Sequence, residues 1–388
     1  MLYWNLLTYF DWGLFILVSL TVLYLAFFAF TSMFARHSET PKARNQNRFI
    51  ILIPSHKSGK SVEMTVNSIL GQTYPQRMFD VTVIADHEDE ITMFHLAQQP
   101  ITLLTPTYGK STRTKSLQLA INNLPQFKIY DAVIILDAGD VVEPEFLELM
   151  NDAYEAAGTR AIQAHKVSFN RDTVSARLSA IFEEINNSIF RRGHITVGLS
   201  AAMSSSGMVF NFEWFKQQIL AAKINWADKE LEALILRHHI YVDYFDNIMV
   251  YGEKARQAEE FNRQHRNWIL TQWRSILRNL RYLPQAIIQK HYDLIDKLLQ
   301  WMILPRMVMM VIILFMCVIT PFIYFTMAIK WWALFAIVLF VFAMATPNYL
   351  VDEKWDSTFF KIPVVLLSSV LHKFKLGRKI TEAVDLKK

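Results

Sequence analysis

From Trp12 to Phe34 the chain reads WGLFILVSLTVLYLAFFAFTSMF, with no charged side chain. At about 1.5 Å per residue, a helix of that length crosses a hydrocarbon core of about 30 Å. A second uncharged run goes from Met307 to Ile329 and a third from Trp331 to Leu350, with only Lys330 between them. This spacing predicts a tight hairpin of two spans turning at Lys330, with Trp331 and Trp332 at a membrane interface. A cleaved signal peptide would begin basic and carry a shorter apolar run. This chain begins MLYWNLLTYFD, so its first run reads as a retained anchor. Composition agrees: 52% of the 388 residues are hydrophobic and 19% charged, against about 45–50% and about 25% in soluble domains. A single cysteine, Cys317, excludes an internal disulfide framework.

Orientation follows from the basic residues beside the spans. Arg36, Lys42, Arg44 and Arg48 follow the first run and none precedes it. Lys354, Lys361, Lys373, Lys375, Arg378, Lys379, Lys387 and Lys388 follow the third. Three spans then put the N-terminus outside and residues from about 36 to 304 in the cytoplasm. The turn at Lys330 lies outside and the tail is cytoplasmic. The net charge of +5 and pI near 9.0 suit contact with anionic lipid. No nucleic-acid partner is expected.

The segment between the first two spans alternates strand-like and helix-like stretches. RFIILIPS, FDVTVIAD, ITLLTP and DAVIILDAGD read as strands; SVEMTVNSILGQ, DEITMFHLAQQ and TRTKSLQLAINNL read as helices. Such alternation predicts an α/β domain with a mostly parallel sheet covered on both faces. Ligands of such sheets bind beyond the carboxyl ends of the strands. Three of those ends are polar: Pro54-Ser55-His56-Lys57, Ala85-Asp86-His87-Glu88-Asp89 and Asp137-Ala138-Gly139-Asp140. An Asp there can accept from a nucleobase or a sugar hydroxyl, and two together can hold Mg²⁺ with substrate phosphates. An Asp after a strand is also a common turn former or helix cap. Three at successive strand ends of one sheet favour a site.

These segments resemble the family 2 glycosyltransferases, particularly membrane-anchored bacterial ones related to polysaccharide synthases. The resemblance runs from about Arg48 to Trp268. IPSHKSGKSVEMTVNSILGQTYP is similar to the family's opening strand, helix and Q-x-Y-P turn, and FDVTVIADHED to the strand whose last Asp holds uracil. YDAVIILDAGDVVEPEFL resembles the D-x-D segment. EEINNSIFRRGHITVGLSAAMSSSGMVF resembles the acceptor-side helix and Gly-Met loop, WADKELEALIL the segment with the catalytic base, and RQHRNW the Q-x-x-R-W segment.

The resemblance implies a GT-A type nucleotide-sugar-binding domain. It implies Asp228 as general base, and Pro54, His56, Asp86, Lys110, Arg113, Lys115 and Asp137 on the donor side. Asp137 and Asp140 would hold Mg²⁺ or Mn²⁺. Gly207, Met208, Gln264, Arg266 and Trp268 would lie on the acceptor or diphosphate side. The chain departs from the family at four positions: Lys57 stands where Asn is common, Gly139 where the second Asp of D-x-D is expected, Ala227 where Glu precedes the base, and Asn267 where Arg is expected.

The expected division is an anchor over 1–35, a cytoplasmic GT-A domain over 36–267, amphipathic interface helices over 268–304, a transmembrane hairpin over 305–350 and a basic tail over 351–388. In the interface segment apolar residues recur at three or four, with Arg274, Arg278, Arg281, Lys290 and Lys297 between them and a break at Pro284. The expected protein is a multi-pass inner-membrane transferase acting by inversion. It would take a UDP-sugar and serve a growing polysaccharide or a lipid-linked acceptor, with membrane lipid and a homo-oligomer or synthase subunit as partners. An impaired transferase-like subunit that scaffolds a synthase is the alternative. His87, His238 and His239 match no zinc spacing, and SHKSGKS lacks the first glycine of a P-loop.

Overall fold

The computed structural model describes residues 2–35, 40–107, 112–222, 228–254 and 258–350, without the side chains of 2–6, 228, 258, 260–262 and 264–268. The expected tail over 351–388 lies outside the described residues. The chain divides into two compact units, one of residues 36–169 and 198–253, the other of 1–35, 170–197 and 254–388.

The first unit is built on one eight-stranded sheet. Its strands are β1 (Phe49–His56), β2 (Phe79–Asp86), β3 (Thr102–Leu104), β4 (Ala132–Ile135), β5 (Val141–Val142), β6 (Ala161–Ser168), β7 (Met208–Asn211) and β8 (Val242–Gly252). Their order is β3-β2-β1-β4-β7-β6-β8-β5. The first four strands pair in parallel, as does β6 with β8. β7 runs antiparallel between β4 and β6, and β5 runs antiparallel to β8. The sheet is therefore mixed, with the predicted parallel half intact.

β1 is apolar on both sides because both faces are covered. On one face Phe49, Ile51 and Ile53 share a core with Val62, Val66 and Ile69 of helix Lys60–Leu70 and with Phe146 and Met150 of helix Phe146–Ala157. Helices Arg113–Asn122 and Phe212–Ala221 also pack on the sheet, against β1 and β2 and against β4 and β7. Gln118 joins these two by donating to the carbonyls of Ile219 and Ala222, at 2.9 Å each. The parallel strands β1, β2 and β4 thus deliver His56, Asp86 and the Asp137 turn to one edge of the sheet.

The second unit is helical. Among the described residues, three of its helices are long and apolar enough to cross a membrane, over Leu7–Ser32, Arg306–Ile323 and Phe325–Ala345. The hairpin does not turn at Lys330. The break falls at Tyr324, just after Pro321 in the last turn of its helix, and Lys330 sits inside Phe325–Ala345. A lone charge within an apolar helix needs a partner. Lys330 pairs with Asp11 of the first helix, whose other carboxylate oxygen accepts from Trp331 Nε1 at 2.8 Å. Trp331 is accordingly buried, while Trp332 stays exposed.

The segment after residue 170 packs closely on the first helix. A Cβ on Gly193 would run into the Phe28 carbonyl, and Thr31 Oγ1 donates to the Gly193 carbonyl at 3.1 Å. Buried His194 stacks on Phe28 at 3.7 Å, with Nε2 at 3.1 Å from Asp296 Oδ2, and Tyr24 donates to the same carboxylate at 2.9 Å.

The first interface helix spans Ala258–Asn279, and the expected break comes earlier than Pro284. A short 3-10 turn, Leu280–Tyr282, precedes it, and Pro284 opens the next helix, Leu283–Ile288. Proline suits that position, where its missing N–H costs nothing. The helix buries Gln272, Ser275 and Asn279 while exposing Leu270, Trp273 and Leu277. Ile276 is buried beside them, so the inward face is mixed while three large apolar side chains stay exposed.

Candidate active site

Asp86 ends β2 and is only 2% exposed. His56 Nδ1 lies 2.6 Å from its Oδ2 and His87 Nδ1 lies 2.6 Å from its Oδ1, so both oxygens face an imidazole. The neighbouring Glu88 has a different task. Its carboxylate accepts from the backbone N–H groups of Ser58 and Gly59 at 2.8–2.9 Å and from Ser55 Oγ at 2.6 Å. That ties the loop after β1 to the end of β2. Pro54 is a half-buried residue of β1 paired with Ile84.

Asp137 follows β4, with its backbone N–H on Ser206 Oγ at 3.0 Å. Arg113 Nη2 stands 3.0 Å from its Oδ1, and Lys166 Nζ 3.8 Å from its Oδ2. Arg113 also donates to the Ser205 carbonyl. The helix that carries Arg113 is capped by Thr112, whose Oγ1 accepts from Lys115 N; the Lys115 side chain is exposed. Lys110 lies outside the described residues.

Asp140 is 5% exposed, and its Oδ2 lies 3.2 Å from the same Lys166 ammonium. Burial pushes its carboxyl up, while Lys166 pulls it down. A Cβ at Gly252 would fall 2.5 Å from Asp140 Oδ1, so β8 can pass this carboxylate only without a side chain there. Mg²⁺ and Mn²⁺ accept one or two carboxylates with phosphate oxygens completing the shell. Asp137, partly exposed at the strand end, fits that requirement, with Asp140 behind it.

Lys166 was not legible as a site residue. It lies on β6, AIQAHKVS, where every residue is buried. Gln163, His165 and Lys166, three of the four polar residues in this buried strand, were the available signal. Each has a partner or a charge to meet: Gln163 donates to Ser206 O at 3.0 Å and accepts from Ser204 N at 2.8 Å, His165 meets Tyr244 OH at 2.8 Å, and Lys166 meets the two aspartates. Gln163 thereby shapes the loop before Gly207. Gly207 has a φ of 71°, and a Cβ there would lie 3.0 Å from Val250 Cγ2 and 3.1 Å from Ala164 Cβ. Met208 begins β7 and is buried between β4 and β6.

Asp228 opens helix Asp228–Arg237, but its side chain lies outside the described residues. That helix is tied to the loop that leads to Gly207 by Glu232, which accepts from Met203 N at 3.0 Å. Gln264, Arg266 and Trp268 belong to helix Ala258–Asn279 of the other unit, and their side chains also lie outside the described residues.

The family model described as Glycosyltransferase like family 2 matches residues 46–271. No curated protein matches the chain. Among solved structures, a mannosyltransferase from Pyrobaculum calidifontis, in complex with GDP-Man and Mn²⁺, aligns at TM-score 0.56 and 10% identity, covering 94% of this chain and 98% of that one. At that identity the likeness concerns the fold. S. aureus TarS, as residues 1–349, aligns at TM-score 0.43 and 12% identity over 88% of this chain and 92% of its own. The same TarS segment in complex with UDP gives TM-score 0.37 and 14% identity, over 59% and 65%.

Proposed function

The chain belongs to glycosyltransferase family 2 and is a glycosyltransferase, and from that premise we propose that it transfers a sugar from a UDP-sugar, with inversion, to a growing polysaccharide or a lipid-linked acceptor. The observation that carries the reading is the arrangement at the ends of β1, β2 and β4. A buried carboxylate, Asp86, stands at one strand end, and Asp137 stands at another with Arg113 and Lys166 beside it. Asp86 and His56 suit recognition of a nucleobase N–H and ring face. Arg113 and Lys166 suit a diphosphate, with Lys110 and Lys115 on the same side of the reading.

In the transfer, an acceptor hydroxyl oxygen bonds to the anomeric carbon as the bond to the diphosphate oxygen breaks, and that oxygen leaves with the electron pair. Asp228 takes the hydroxyl proton, as the base of an inverting glycosidase does for water. Arg113 and Lys166 meet the charge that develops on the diphosphate. Mg²⁺ or Mn²⁺, held by Asp137 with Asp140 behind it, would supply further Lewis-acid neutralisation when bound. Gly207 and Met208 keep the loop and strand on the acceptor side in place.

The three apolar helices and the exposed Leu270, Trp273 and Leu277 with Arg274 and Arg278 support a membrane-embedded enzyme resting on lipid. The orientation we propose is the one the basic residues favour, with the transferase unit in the cytoplasm of a bacterial inner membrane. A second reading, an impaired subunit that scaffolds a synthase, is favoured by Gly139, which removes the second carboxylate of the D-x-D pattern.

The test is nucleotide release by the full chain in lipid nanodiscs with Mn²⁺, across UDP- and GDP-sugars, with Asp228→Asn as the blank. Release of UDP from one donor, lost in the variant, is expected. Release of GDP alone would overturn the donor assignment. Nucleotide binding without release, in the presence of membrane extract as acceptor source, would favour the scaffold.

A further inference from the structure

His56 and Asp86 belong to the donor end of the site, and together with His87 their geometry has a second chemistry. One ligand atom from each of the three lies within 4.8 Å of the others. Both imidazoles present Nδ1 to the carboxylate at 2.6 Å, and both side chains stay more than half exposed, at 59% and 58%, while the carboxylate is buried. The result is a carboxylate floor with two nitrogen donors at its rim and an open side towards solvent.

The backbone holds this shape at a cost. His87 has a φ of 55°, in the left-handed region that non-glycine residues rarely occupy. That conformation turns the ring at position 87 back over its own neighbour, Asp86. Lys57, next to the other histidine, has a φ of 52°, and its N–H donates to the Asp86 carbonyl at 3.2 Å. Both imidazole-bearing loops are therefore pinned to the same strand end. Residue spacing gave no hint of this, because position 56 is brought to 86 and 87 by the parallel pairing of β1 and β2.

We propose that His56 Nδ1, His87 Nδ1 and the Asp86 carboxylate form a binding site for one divalent transition metal ion. Two imidazoles and a carboxylate suit Zn²⁺, Co²⁺ or Ni²⁺, whereas Mg²⁺ prefers all-oxygen surroundings. Neutral imidazole binds by moving its Nδ1 proton to Nε2, so each ring exchanges a hydrogen bond to Asp86 for a metal bond. The remaining coordination positions face solvent. This site is separate from Asp137, but it shares Asp86 and His56 with the donor end of the proposed transferase site, so metal and nucleotide would exclude one another there.

The probe is Co²⁺, titrated into the full chain in nanodiscs without nucleotide and followed by visible absorption. One equivalent should bind with the intense band of a nitrogen-ligated, low-coordination complex and should survive an excess of Mg²⁺. His56→Gln and His87→Gln should each weaken binding by more than about 100-fold, beyond the usual loss on removing an outer-shell partner. Both side chains are exposed, so unchanged melting temperatures will separate ligand loss from unfolding. Asp137→Asn should leave the band intact. A band that persists in both histidine variants, or that disappears only in Asp137→Asn, would overturn the proposal, as would the lack of any stoichiometric Co²⁺ complex. Sugar transfer is tested separately, by Asp228→Asn.

Discussion

Lys166 should be the most costly single charge to remove from the sheet unit. Its ammonium lies 3.2 Å from Asp140 and 3.8 Å from Asp137, and its side chain is only 11% exposed. At an effective dielectric of about 20, the closer pair alone is worth roughly 5 kcal/mol of attraction, before the loss of hydration is subtracted. Lys166→Met removes the attraction and leaves the Asp140 carboxylate buried. Breaking a buried pair in this way costs about 3–5 kcal/mol. For a unit of this size the apparent melting temperature should fall by about 6–20 °C. The assay is thermal melting of the full chain in nanodiscs, at about pH 5 and about pH 8. Burial already holds the Asp140 carboxyl above its ordinary value, with Lys166 pulling it down. Without that pull it rises further. A carboxyl raised in the folded state costs stability only when ionised, so the deficit should be smaller at the lower pH, grow as pH rises through the folded value and then level off. Lys166→Met with Asp140→Asn should recover much of the loss. A deficit equal at both pH values, or one that Asp140→Asn does not reduce, would refute the reasoning.

Three further outcomes are expected. Asp228→Asn should lower transfer by at least about 100-fold while changing nucleotide affinity little, by the scale of a lost general base; surviving turnover would remove it from that role. Gly193→Ala places a Cβ against the Phe28 carbonyl, and overpacking of about 1–3 kcal/mol should lower the melting temperature in nanodiscs; an unchanged value would show that the two helices separate freely. Asn267→Arg supplies the cation that the Q-x-x-R-W pattern calls for, and turnover should rise, by up to about 100-fold if that charge is limiting; unchanged turnover would mean that Arg266 or His265 already serves.

The difference between what was legible and what was not follows the range of the interactions. β1, β2 and β4 and the helices between them could be read because an apolar run or an amphipathic period is a local signal, and the backbone hydrogen bonds it demands are local or to the next strand. Asp86 and Asp137 stand out as candidates because they lie at the ends of such runs. Lys166 was missed because nothing near it in the chain explains a buried cation. Its partners come from the turn after β4, which only sheet pairing brings near.

The hairpin shows the same division. Apolar composition determined that three helices would be long enough to span a bilayer, since each length of uncharged chain carries that property by itself. Where the last two would separate was decided by tertiary structure. Lys330 looked like a turn residue because no nearby residue answers its charge, yet Asp11, more than three hundred positions earlier, answers it inside the bundle. The break moved to Tyr324, and Trp331 turned inward to share the same carboxylate. Likewise, the residue types at 56, 86 and 87 were plain from the start, but a ligand set is defined by distance. Parallel pairing of β1 with β2 and a left-handed backbone at His87 brought those three side chains together.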